Sequence, residues 1–226
     1  MSNETNSNTE PGAALITGAA RRIGKAIALG LASEGVTLVI AARSTESRPQ
    51  SPGSIYDTAR EIEFLGGKAL PVECNVREAA SIQEMVKKSV ESLGRVDVLI
   101  NNAGVGNYSG FLETSLKAWD LVMDIDLRAP FICCQEVVPI MIKQQSGSII
   151  NISSHAATNI FSSTLSEDSS AGIALMGQAY GTAKAGLERF TWGLAAELGE
   201  HNIAVNILKP LRPVVTEGFQ AQRPDA

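Results

Sequence analysis

Tyr180 and Lys184 stand four residues apart in Ala179-Tyr180-Gly181-Thr182-Ala183-Lys184. On a helix, positions i and i+4 share a face, so the ammonium can lie beside the phenol. A free phenol has a pKa near ~10 and gives little phenolate at neutral pH. A neighbouring cation favours the charged form. A tyrosine tuned in this way can lend or take a proton at a carbonyl or an alcohol. Ser154, at the end of a predicted strand upstream, supplies a hydroxyl that can hold the substrate oxygen. Alone, the pair is also what an amphipathic helix with a surface lysine would show. The rest of the chain decides between the two.

The elements that must position these groups alternate. β-rich runs are expected at Ala13–Thr17, Val36–Ala42, Lys68–Val72, Val96–Asn101, Ser148–Ser153 and Ile203–Leu208. Several are apolar on both faces, as in a buried parallel sheet. Helical patterns fall at Arg22–Ser33, Ser54–Leu65, Glu78–Leu93, Leu116–Lys143 and Gly177–Leu198. In the first, Ile23, Ile27 and Leu31 form a stripe expected to face the core. Pro130 and Pro139 should break or kink the fourth. The alternation predicts an α/β fold, a doubly wound parallel sheet of the Rossmann type with helices on both faces. Ser44–Ser54, with Pro49, Pro52 and Gly53, reads as a long loop.

The first strand runs into Thr17-Gly18-Ala19-Ala20-Arg21-Arg22-Ile23-Gly24 and then a helix. A doubly wound fold binds a dinucleotide at this place, with glycine allowing close approach and the helix N-terminus supplying N–H donors. The second strand ends in Ala41-Ala42-Arg43, where a free ribose 2′-OH would usually meet an acid. Arg43 with Arg21 or Arg22 can grip a 2′-phosphate instead, favouring NADP(H). NAD(H) stays open because Glu46 is near. After the fourth strand, Asn101-Asn102-Ala103-Gly104 suits the crevice at the strands' carboxyl ends.

Composition narrows the rest. The net charge of −5 leaves no broad basic surface, which argues against nucleic acid as a partner. No apolar run approaches ~18 residues, so no membrane-spanning helix is expected. Cys74, Cys133 and Cys134 offer neither a disulfide framework nor metal spacing, and with only two histidines no zinc site is expected. Residues 1–12 are polar and acidic with no signal-peptide pattern, and are read as a disordered tail. The expected location is cytoplasmic, and residues 13–226 are read as one dinucleotide-binding catalytic domain.

Thr17-Gly18…Gly24, Asn101-Asn102-Ala103-Gly104, Ser154 and Tyr180…Lys184, in this order, resemble the short-chain dehydrogenase/reductase family over about residues 12 to 219. A softer likeness, through Ile55–Ala59 and Gly66–Pro71, is to its hydroxysteroid dehydrogenase-like branch. The resemblance implies that Tyr180 is the general acid/base and that Ser154 orients the reacting oxygen. It implies that Lys184 holds the nicotinamide ribose and lowers the tyrosine pKa. Asn75 and Val76 would flank adenine. Asn102, Ala103 and Gly104 would line the cofactor groove, and Thr216 would bind the carboxamide. It also implies a homo-oligomer.

The chain departs from the family pattern in five ways. Arg22 stands at the middle glycine of the first turn. Asn75 stands where aspartate is usual. Asp126 occupies the place of the family's fourth catalytic residue, an asparagine. Ser154 and Tyr180 are 26 positions apart (180 − 154), more than the family norm, and the extra stretch, about 155–173, is either a lid or a surface insertion. Nothing after Thr216 can supply the family's seventh strand, so the sixth is expected at a sheet edge.

The reading is an NADP(H)-preferring oxidoreductase acting on a small-molecule carbonyl or secondary alcohol. Its rival is a nucleotide-binding protein with little catalysis, a sensor or assembly partner. A sugar-nucleotide epimerase or dehydratase using the same pair would resemble a different glycine pattern and carry a longer C-terminal domain.

Overall fold

A computed structural model of the chain describes residues 12–49, 51–107, 109–158, 177–210 and Val214. The described elements are β1 (Ala13–Thr17), α1 (Arg22–Ser33), β2 (Thr37–Ala42), α2 (Ile55–Phe64), β3 (Ala69–Glu73), α3 (Ala79–Leu93), β4 (Val98–Asn101), α4 (Leu116–Met123), α5 (Ala129–Gln144), β5 (Gly147–Ile152), α6 (Gln178–Leu198) and β6 (Ile203–Leu208). The strands form one sheet in the order β3-β2-β1-β4-β5-β6, and every pair is parallel. Each parallel neighbour requires a crossover, and the helices supply it. The order reverses between β1 and β4, which opens a crevice at their carboxyl ends. Among the described residues, β6 has no strand on its outer side.

Side-chain alternation splits the core in two. Leu15, Val39, Leu99 and Ile149 point to one face of the sheet and pack with Ile82, Met85, Val137 and Met141 of α3 and α5. Ala14, Ile16, Leu38, Ile40 and Ile100 point to the other face, against Ala28, Ala32, Ile55 and Ile62 of α1 and α2. That period of two, apolar on both sides, is what a doubly covered parallel sheet requires. The three cysteines are free and buried in the first cluster. Burial pushes the Cys133 thiol well above its ordinary value and Cys134 up to about 12, so neither is a nucleophile.

One expectation needs correction, and a second, the break at the prolines of the fourth helical region, is met at Pro130 while the helix continues through Pro139. The Ile23, Ile27 and Leu31 stripe is only half-buried, and the fully buried line of α1 is Gly24, Ala28 and Ala32. Small residues bring this helix close to the sheet, and the larger ones flank the contact. The fourth helical region is interrupted ahead of Pro130 by one π turn, Asp124–Arg128. Pro130 cannot donate to the carbonyl four residues back, and the widened turn accommodates it. Pro139 lies inside α5, which runs on to Gln144.

Candidate active site

Helix α6 presents a polar face to the end of β5. Lys184 is 4% exposed, and its Nζ donates to the carbonyl of Ile152 at 2.9 Å. The same Nζ lies 3.1 Å from Oδ1 of Asp126 and 5.7 Å from the centroid of the Tyr180 ring. Asp126 is 0% exposed, and its Oδ2 accepts the backbone N–H of Val105 at 3.0 Å. Burial pushes the Asp126 carboxyl above the usual carboxylate range, against the opposing pull of Lys184 and of the Val105 N–H. The π turn carries Asp126, a common use of such turns at functional sites. Gly104 leaves the pair its room, because a Cβ there would sit 2.7 Å from Asp126 Oδ1.

Ser154 caps a short 3₁₀ turn, His155–Ala157, with its Oγ accepting from the N–H of Ala156 at 3.3 Å. That turn packs on α6. A Cβ on Gly181 would come 3.1 Å from the carbonyl of Ala156, so α6 and the segment after Ser154 approach closely beside Tyr180. Tyr180 itself is half-buried at the start of the helix.

At the crevice, Asn102 joins β4 to the first turn. Its Nδ2 donates to the carbonyls of Thr17 at 2.9 Å and Gly18 at 3.2 Å. Thr17 Oγ1 accepts from the N–H groups of Asn102 and Ala103, each at 3.1 Å. Gly18 has φ +68, and a Cβ there would lie 2.9 Å from Ala103 Cα. At Gly24 a Cβ would lie 2.5 Å from Asn102 Nδ2. Both glycines are therefore required by the protein's own packing, apart from any ligand. Ile23 is half-buried in the first turn of α1. The helix begins at Arg22, and its N-cap residue, Arg21, makes no side-chain cap, which leaves the first N–H groups for an anion.

Three guanidinium groups gather here. Burial lowers the pKa of Arg21, and the charges of Arg22 and Arg43 lower it further. Arg21 bonds to the carbonyl of Ser51 at 2.9 Å and to the hydroxyls of Ser51 and Ser44. Arg22, exposed, has φ +53, the left-handed conformation that suits glycine. These residues fit a phosphorylated dinucleotide: an uncapped helix end for a pyrophosphate and a cationic cluster beyond it.

Asn75 donates from Nδ2 to Glu78 at 2.6 Å and receives the N–H of Arg77 at 3.3 Å, and Val76 is buried beside it. Thr216 and most of the 155–173 stretch lie outside the described residues. An open cleft of about 620 Å³ runs along α2, lined by Glu46, Tyr56, Asp57 and Glu63 among others. Ser154, Tyr180, Lys184 and Asp126 do not line it. No helix among the described residues is long and apolar enough to cross a membrane.

Residues 12–225 match the family model of the short chain dehydrogenases. The chain belongs to that family. Hydroxysteroid dehydrogenase-like protein 2 of Danio rerio is 38% identical over 202 residues, covering 89% of this chain and 46% of the relative. The Homo sapiens protein of the same name is 36% identical over 201 residues, covering 89% and 45%. The chain thus spans under half the length of these curated relatives. A metagenomic short-chain oxidoreductase solved in complex with NADP superposes with a TM-score of 0.77 at 32% identity, covering 89% of this chain and 83% of that one. A short-chain dehydrogenase/reductase from Burkholderia xenovorans gives 0.82 at 27% identity, covering 95% and 76%.

Around the Lys184–Asp126 pair of this short-chain dehydrogenase family member, the sequence reading missed a second polar layer. Glu188, one turn beyond Lys184, is buried and accepts from Ser153 Oγ at 2.6 Å and from Lys209 Nζ at 2.8 Å. Asn101 Nδ2 donates to Asn151 Oδ1 at 2.8 Å, and Asn151 Nδ2 donates to Thr191 Oγ1 at 2.9 Å. One signal was available: Tyr180, Lys184 and Glu188 continue a single i, i+4 line on a face already assigned inward.

Proposed function

We propose that the chain is an NADP(H)-preferring oxidoreductase acting on a carbonyl or secondary alcohol, with Tyr180 as general acid/base. A nicotinamide held in the crevice by the Thr17–Gly24 turn and Asn102 would supply or accept the hydride exchanged with the substrate carbon. In the reducing direction Tyr180 gives its hydroxyl proton to the substrate oxygen, and Ser154 orients that oxygen. Lys184 keeps a positive charge beneath the tyrosine. The observation that carries this reading is the placement of Lys184 Nζ: buried, anchored on Ile152, and 5.7 Å from the Tyr180 ring centroid. The preference for NADP(H) is supported by the Arg21, Arg22 and Arg43 cluster and by the family member solved with NADP.

Tyr180→Phe tests the reading with a panel of carbonyls and alcohols and both cofactors. Loss of a general acid lowers kcat by roughly 10²- to 10⁴-fold, with NADPH binding nearly unchanged. A near-normal kcat in this variant sinks the mechanism. A second reading, a nucleotide-binding protein with little catalysis, draws support from Asp126, whose carboxylate opposes the Lys184 charge at 3.1 Å. A wild-type chain that binds NADPH yet turns over no member of the panel favours it.

A further inference from the structure

A carboxylate 5% exposed needs partners that repay its lost hydration, so the identity of those partners tells what Glu188 is for. Both of its contacts converge on one oxygen, Oε1: the Ser153 hydroxyl at 2.6 Å and the Lys209 ammonium at 2.8 Å. Ser153 directly precedes Ser154 at the end of β5, and its N–H also bonds the carbonyl of Leu208 at 2.9 Å. Lys209 directly follows β6 and reaches Thr158 Oγ1 at 3.2 Å. Thr158 closes the 3₁₀ turn that Ser154 caps. The Glu188–Lys209 pair therefore grips the residue before Ser154 and, through Thr158, the end of the turn after it. Both grips hang on α6, the helix that carries Tyr180 and Lys184.

We infer that Glu188, with Lys209, is a positioning residue that fixes the Ser154 turn relative to Tyr180. The inference rests on the reading of Ser154 and Tyr180 as the reacting centre. It places the effect of the pair on the chemical step and not on dinucleotide affinity, since the Thr17–Gly24 turn is held separately by Asn102. The chemistry of the pair favours this role over a proton-relay role. Oε1 is saturated by two donors, and Glu188 is bonded to Ser153, not to Ser154.

The test uses the whole chain with Glu188→Gln, which keeps an acceptor but removes the charge, and Lys209→Met at the more exposed partner. Amide hydrogen exchange should quicken at residues 153–158 in both variants, with protection in β1 and β4 unchanged. With a carbonyl that the wild type reduces, kcat should fall by roughly 10- to 100-fold, the scale of a small misplacement of reacting groups. The affinity for NADPH should hold, and the primary isotope effect with 4-deuterated NADPH should grow. The double variant should be no worse than Glu188→Gln alone. Wild-type exchange at 153–158 in both variants overturns the proposal, as does a parallel loss of NADPH affinity and kcat. If the wild type neither reduces a carbonyl nor oxidises an alcohol, the functional reading fails by itself, and exchange alone judges whether Glu188 holds the turn.

Discussion

Asp126 Oδ1 lies 3.1 Å from Lys184 Nζ, and both side chains are buried. The ion pair secures the lysine but cancels part of its field at Tyr180. Asparagine at this position keeps an acceptor for the Val105 N–H and removes the charge. Asp126→Asn is expected to raise activity or move the pH–rate profile to lower pH; an unchanged curve would show that Asp126 does not tune Tyr180. Stability has its own sign. The folded-state pKa of Asp126 is raised, chiefly by burial, so its contribution is full below the unfolded value of ~3.9 and is lost as pH rises through the folded value. Melting curves should therefore show Asp126→Asn gaining on the wild type as pH rises from acid toward neutrality.

Gly104 is the spacer of that pair. A methyl group there meets Asp126 Oδ1 at 2.7 Å and lies 3.7 Å from Lys184 Nζ. Neither buried partner can retreat without losing a bond to Val105 or Ile152. Gly104→Ala is expected to cost about 1–3 kcal/mol, the usual scale of overpacking. Denaturant unfolding measures it, and an unshifted midpoint would show that the contact relaxes freely.

The arginine cluster separates affinity from strain. Arg43→Ala should weaken NADPH by roughly 10- to 150-fold, the loss of one charge-assisted hydrogen bond, and leave NADH little changed. Equal weakening of both cofactors removes Arg43 from the 2′-phosphate site. Arg22 has φ +53, so Arg22→Gly should relieve up to about 1 kcal/mol of backbone strain while giving up a cation. A higher melting temperature with weaker NADPH binding is the expected pair of results.

Asp97 ties the foot of the sheet. Its Oδ2 accepts the N–H of Ala13 at 2.7 Å, and Arg95 binds both of its oxygens at 2.8 Å. Burial alone would raise its pKa, but Arg95 and the Ala13 N–H outweigh burial and hold it below the usual range. The stability it contributes is then present above the unfolded carboxylate pKa and is lost as pH falls through the folded value. Asp97→Asn should be destabilising at neutral pH and progressively less so in acid, as read from melting temperature against pH. A pH-independent difference would mean the carboxylate charge is not what holds β1 to β4.

What the sequence determined by itself is local. Strand and helix periodicities were legible because side-chain direction repeats every two or 3.6 residues whatever the chain later touches. Predicted and observed strands accordingly agree to within two residues, and β1, α1 and β6 agree throughout. Tyr180 and Lys184 could be paired because one helix turn joins them. The tertiary structure decided what no local period encodes. It set Asp126 against Lys184 and hung Lys209 on Glu188. It put the Asn102 amide against Gly18 and Gly24, and thereby gave those glycines a packing reason. It also chose Gly24, Ala28 and Ala32 over the larger Ile23, Ile27 and Leu31 as the buried line of α1. Each of these depends on how closely two distant segments approach, and that distance is set only when the sheet, its helices and their side-chain volumes are packed together.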